Sequence, residues 1–242
     1  MDNNKNPEVV TTNEDILRKY DRESDFRVMT GFGAKVIAAI AIAFSLFQLY
    51  TAVFGVLDAM IQRAIHVSFA FSLIFLLYPA RKSWSREKFH PFDVALAVIA
   101  AAVPMYIVVN YQELVLRAGR VTTVDFIVGL IAIVLILEVA RRVVGYPMVI
   151  IAILFLIYAL VGRHIPGQLA HRGVKLASLV QHQFYTTEGI FGIPIGVSST
   201  FIFLFILFSA YLEKTGMGEF FIDLANTVAG WATGGPAKVA VI

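Results

Sequence analysis

The chain has 242 residues, of which 58% are hydrophobic and only 15% charged, with a formal charge of +3 and no cysteine. A soluble domain is nearer half apolar and a quarter charged, so this balance points to a membrane protein. The missing cysteines exclude disulfides and thiolate metal sites. The basic residues fall between apolar runs rather than on one polar face, which argues against a nucleic-acid partner.

Taken in chain order, residues 1–35 form a charged N-terminal segment. "NEDILRKYDRESDFRV" within it fits a surface helix at the membrane face. The apolar stretch starts too late for a cleaved secretory signal. Uncharged runs follow at 36–57, 64–80, 94–112, 143–162 and 189–212, with 121–140 a sixth apolar helix holding Asp125 and Glu138 near its ends. About 20 such residues cross the roughly 30 Å hydrocarbon core. The expected fold is therefore an all-α polytopic membrane protein of about six transmembrane helices plus interfacial amphipathic helices. The remaining gap, 224–237, holds "GWATGG" and reads as a loop.

One helix over 126–162 would be too long for a single crossing. Arg141, Arg142, Gly145 and Pro147 sit at its middle and predict a break. With the N-terminus placed in the cytoplasm, inside segments hold thirteen basic residues and outside segments six. That bias fits the positive-inside rule. The longest outside segment, 163–188, carries His164, His171 and His182. Their spacing matches no metal motif, and they read as solvated loop histidines. "VKLASLVQHQF" suits a short helix on the membrane surface, and "GEFFIDLANTVAGW" an interfacial one.

Candidate functional residues are few. His66 lies inside a span near its outer end, where it can reach the interface and reads as structural. Glu138 and Arg141, three apart, share a helical face and predict an ion pair that anchors the helix end. Asp58 and Asp125 read as interfacial. Pro104 should kink its span. In "GIFGIPIGVSST", Gly192, Pro194 and Gly196 fit either tight helix packing or an interrupted helix, and Ser198, Ser199 and Thr200 are the weak substrate- or ion-binding candidates. No nucleophile-plus-base arrangement, nucleotide loop or metal motif appears, so no catalytic residue, metal ligand or cofactor is assigned, and no enzyme activity is expected.

"YDRESDFR", "LEVARRVVGYP", "HIPGQLAHRGVKLASLVQH", "YTTEGIFGIPIGVSSTFIFLFILFSAYLEKTGMGEFFIDLA" and "GGPAKVAVI" together resemble the fused permease of TRAP transporters, in particular the TAXI type. The resemblance implies a small membrane domain of three spans at 36–122 and the start of a large permease domain at 123–242. It implies gradient-driven uptake, by sodium or proton, of organic acids or amino acids delivered by a periplasmic substrate-binding protein. It implies residence in the bacterial inner membrane. It also implies that the large domain continues past Ile242 and that the main substrate and ion sites lie there, so the chain is expected to be an N-terminal portion. Arg163, His164, Arg172 and Lys175 are then candidates for docking the binding protein. A stand-alone membrane scaffold without a substrate path is the alternative.

Overall fold

The computed structural model describes residues 26–81, 84–85, 88–117 and 119–229. Most of "NEDILRKYDRESDFRV" and all of "GGPAKVAVI" lie outside them. Among the described residues there are helices and turns and no strand. Six helices are long and apolar enough to cross a membrane.

The first is α1 (Gly31–Phe54), closed by Gly55. A short link leads to α2 (Ala59–Leu77), where the Asp58 side chain accepts from Met60 N and caps the helix. Next, α3 (Pro91–Val109) starts with proline in its first turn, a position that needs no N–H donor, and runs unbroken through Pro104. The short α4 (Tyr111–Leu116) follows at the far end. Thr122 and Asp125 then form a reciprocal capping box that starts α5 (Thr123–Val143) and satisfies two orphan backbone donors.

The break expected near residue 145 is present. Gly145 has φ +115, a conformation that side chains other than glycine rarely adopt. Pro147 then sits in the first turn of α6 (Tyr146–Val161). Two single 3₁₀ turns, Gly162–His164 and Gly167–Leu169, lead to α7 (Leu176–Phe184). The sixth span is α8 (Ile193–Lys214), with a π-helical stretch at Ser198–Ile202. It starts four residues later than the uncharged run, because Gly189 and Gly192 lie in turns ahead of it. Last, α9 (Met217–Ala229) takes up part of what reads as a loop at 224–237. Phe220, Phe221 and Leu224 on it are exposed, as an interfacial helix needs.

The bundle is built around α2. It packs along α3 and also meets α1, α5 and the start of α8. Half of its most apolar stretch is buried, against 6% for α6 and for α8. The reason lies in residue size. Ala64, Ser68 and Ser72 on α2 face Ala97, Ala100 and Ala101 on α3, with Ser68 Oγ donating to Ala101 O at 2.8 Å and Ser72 Oγ to Ala97 O at 3.3 Å. Small residues let two backbones approach where no hydrophobic drive separates protein from lipid tails. The Ala101 contact lies one residue along from the carbonyl that Pro104 frees.

The helix in "VKLASLVQHQF" differs from expectation. Its apolar face is turned onto protein rather than lipid: Leu179, Val180 and Phe184 are buried, and α7 packs against α5. The contact is close because α5 offers Gly129, where a Cβ would stand 2.5 Å from Val180 Cγ1. Val174 and Leu176 remain exposed.

Candidate functional site

Polar side chains inside the bundle gather in three places. The first lies where α2 ends and α3 begins. Arg27 and Asp93 are fully buried and paired at 2.6 Å. Arg142, near the end of α5, reaches the other Asp93 oxygen at 2.8 Å and holds Glu138 through Nε at 2.8 Å. Arg141 binds Glu138 bidentately, both contacts at 2.7 Å. The guanidiniums also close helix ends: Arg27 donates to Leu76 O, Arg142 to Tyr78 O and Arg141 to Ala80 O. Those carbonyls lie in the last turn of α2, at its cap and in the loop just after it, where no helical N–H is at hand. The expected Glu138–Arg141 pair is thus one edge of a larger network. Asp93 lies in the first turn of its span, where the helix dipole favours a carboxylate. That position, on the same side as Arg27 and Arg142, is the signal that marks it.

Beside this network is a cavity of about 990 Å³, walled by Arg81, Trp84, Leu96, Val134, Glu138 and Arg141 among others. Trp84 and His90 stack at its edge, 3.7 Å between ring centroids.

The second place is at the opposite end of α5. Asp125, in the first turn of α5 at the span end, is 1% exposed. It accepts from Tyr106 Oη at 2.7 Å, Arg117 Nη1 at 2.9 Å and Thr122 Oγ1 at 2.7 Å. Tyr185 Oη donates to the Asp125 carbonyl at 2.7 Å and so ties the end of α7 to the start of α5. Burial first, and the Asp125 carboxylate next, push the Tyr185 phenol above its ordinary range, so it stays a donor. Asp58 caps α2 from an exposed position at the start of that span.

The third place is within the spans, between α1, α2 and the π-helical stretch. His66 is buried, not turned to the interface. Gln48 Nε2 meets its Nδ1 at 2.6 Å and Ser198 Oγ its Nε2 at 3.2 Å. Since the amide can only donate there, Nδ1 accepts and Nε2 carries the proton. Gln62 Nε2 donates to Thr51 Oγ1 at 3.2 Å and to Ser199 O at 3.1 Å. A π-helical turn disturbs the regular backbone ladder, and Gln62 supplies an outside donor to a carbonyl within it.

The glycine-rich stretch has a use that spacing does not show. Gly196 makes room for the Arg63 side chain of α2, whereas a Cβ at Gly192 would meet the Gly189 carbonyl. Arg63 Nη1 donates to Phe191 O at 2.6 Å and lies within 3.4 Å of Gly192 O. Pro194 sits in the first turn of α8. The three hydroxyl candidates are engaged internally: Ser198 with His66, Ser199 Oγ and Thr200 Oγ1 with Gly196 O at 3.0 and 2.9 Å.

In the segment 163–188, Arg163, His164, Arg172 and Lys175 are all exposed. The backbone brings them to the end of α6, through His171 N to Gly162 O and Val174 N to Ala159 O. His171 is not a solvated loop histidine. It accepts from Gly173 N at 3.1 Å, contacts Tyr158 O at 3.1 Å and packs edge-on to the Tyr158 ring. His182 is half exposed, 3.7 Å from Glu188. Among the described residues no group of three or more His, Cys, Asp or Glu is placed to hold a metal.

Six apolar helices among the described residues, with buried ion pairs linking the ends of α3 and α5, define an all-α, multi-pass membrane protein. Residues 131–242 match the model of the family described as tripartite ATP-independent periplasmic transporter, DctM component. The match starts inside α5 and takes in α6, α7, α8 and α9, so the second half of the chain is similar to that family. No curated protein and no solved structure matches the chain.

Proposed function

We propose that this chain is membrane machinery of a TRAP-type secondary active transporter. The observation that carries the reading is the family match over residues 131–242. It falls on the region that holds the break at Gly145 and the turns and π-helical stretch of "GIFGIPIGVSST". In this reading residues 1–35 are a cytoplasmic segment, 36–122 a small three-span domain and 123–242 the start of a large permease domain. The small domain is represented by the tightly packed pair α2 and α3. The large domain contributes α6 and α8, few of whose residues are buried among the described residues, and which suit contact with the rest of the permease and with lipid.

The substrates would be organic acids or amino acids, handed over by a periplasmic binding protein and drawn in by a sodium or proton gradient across the bacterial inner membrane. The exposed Arg163, His164, Arg172 and Lys175 would meet that protein, since complementary charge at a rim speeds encounter. Membrane vesicles carrying the full reading frame test this. Uptake of an organic acid or amino acid should require both the added binding protein and an ion gradient. Failure of every such substrate to accumulate under either gradient would overturn the reading.

A further inference from the structure

We infer that the cavity beside the Arg27–Asp93–Arg142–Glu138 network holds the headgroup of an anionic phospholipid. The charge balance is the first ground. Arg81, Arg141 and Arg142 line the cavity with Glu138 as the carboxylate among its walls, and the buried Arg27–Asp93 pair joins it through Arg142. Arg81 is exposed at the rim and makes no side-chain ion pair among the described residues. Nε of Arg27 and Nη2 of Arg142 are buried and unpartnered among the described residues. An excess of guanidinium charge in a water-poor region draws an anion far more strongly than the same charge in bulk water.

The shape is the second ground. At about 990 Å³ the cavity is far larger than one small anion and reaches the upper range of small-molecule sites. Its inner wall is apolar, formed by Leu96, Val134 and Leu135, which suits acyl chain rather than water. Trp84 and Tyr146 border it at the end of the spans, where amphipathic rings sit at headgroup depth. Basic pockets between membrane helices recognise acidic headgroups in this way. The phosphodiester would lie against Arg81 and Arg141, and the first methylenes along Leu96. Arg142 would act from behind through its charge.

Native mass spectrometry of the delipidated full chain provides the test, with dioleoyl phosphatidylglycerol, dioleoyl phosphatidylcholine and inorganic phosphate in separate arms. Phosphatidylglycerol should be retained at least tenfold over phosphatidylcholine, and inorganic phosphate should not protect the chain against heat. Arg81→Ala removes a rim charge that anchors no helix and should lower phosphatidylglycerol retention about tenfold, as loss of one charge-assisted contact implies. Leu96→Trp, which fills the apolar wall without altering charge, should lower retention as well. Equal retention of the two lipids would overturn the inference. So would unchanged retention in both variants. Protection by phosphate equal to that by phosphatidylglycerol would make the occupant a free anion and overturn the lipid assignment.

Discussion

The guanidinium of Arg63 occupies the space that a side chain at residue 196 would need: a Cβ built on Gly196 falls 2.7 Å from Arg63 Nη2. Arg63 is held there by the Phe191 carbonyl, so α2 and the start of α8 meet through an arginine pressed on a bare backbone. Gly196→Val should therefore lower thermal stability by about 1–3 kcal/mol, the usual range for overpacking. The double variant Gly196→Val with Arg63→Ala should lose less than the sum of the two single changes, since they share one contact. Melting curves of the four proteins in detergent check this. Strict additivity would show that the contact does not matter.

Asp93 carries a heavier load. It is the shared acceptor of Arg27 and Arg142, with both pairs fully buried. Asp93→Asn should destabilise by about 3–5 kcal/mol, because it leaves guanidinium charge buried without compensation. Glu113 offers the contrast. It is 73% exposed and 3.7 Å from Arg117, so Glu113→Gln should stay within about 1 kcal/mol of the parent. Comparing the midpoints of thermal unfolding for the two variants decides the matter.

His66 should behave as a neutral connector. His66→Leu strips a partner from Gln48 and from Ser198 and should destabilise by about 0.6–1.7 kcal/mol, the measured span for hydrogen bonds between membrane helices. If the loss comes from these bonds, Gln48→Leu in the His66→Leu background should add little. A large further drop would mean that Gln48 acts through other contacts.

Gly129 sets how closely α7 can dock on α5. Gly129→Leu should detach α7 and expose the buried Val180 and Phe184. Faster cleavage by an added protease between residues 163 and 188 is the expected outcome. Gly129→Ala with Val180→Ala should restore resistance, since the second change removes the Cγ1 that a new Cβ would strike.

Much of the architecture was legible because charge gaps map directly onto helices that must satisfy their own backbone in lipid. The break at Gly145–Pro147 was legible for a similar reason, since a glycine, a proline and two arginines all act locally. The ion-pair networks were not. Asp93 is 66 residues from Arg27 and 49 from Arg142, and nothing in the spacing of one helix reveals a partner on another. His66 shows the same limit. Its position suggested the interface, but its partners come from residues 18 and 132 positions away. The α7 helix was legible and its inward orientation onto α5 was not, because a strip of apolar residues looks the same whether it faces lipid or Gly129.

The two ends of α5 are fastened in different ways, Asp125 at one and Glu138 with Arg142 at the other. A shift of α5 along its axis by a single turn, about 5.4 Å, would have to tear out both sets of contacts together. Tilting about either anchor would break the other. In a chain where α6 and α8 touch so little, α5 is thus a fixed post, and any sliding of helices past one another has to take place around it.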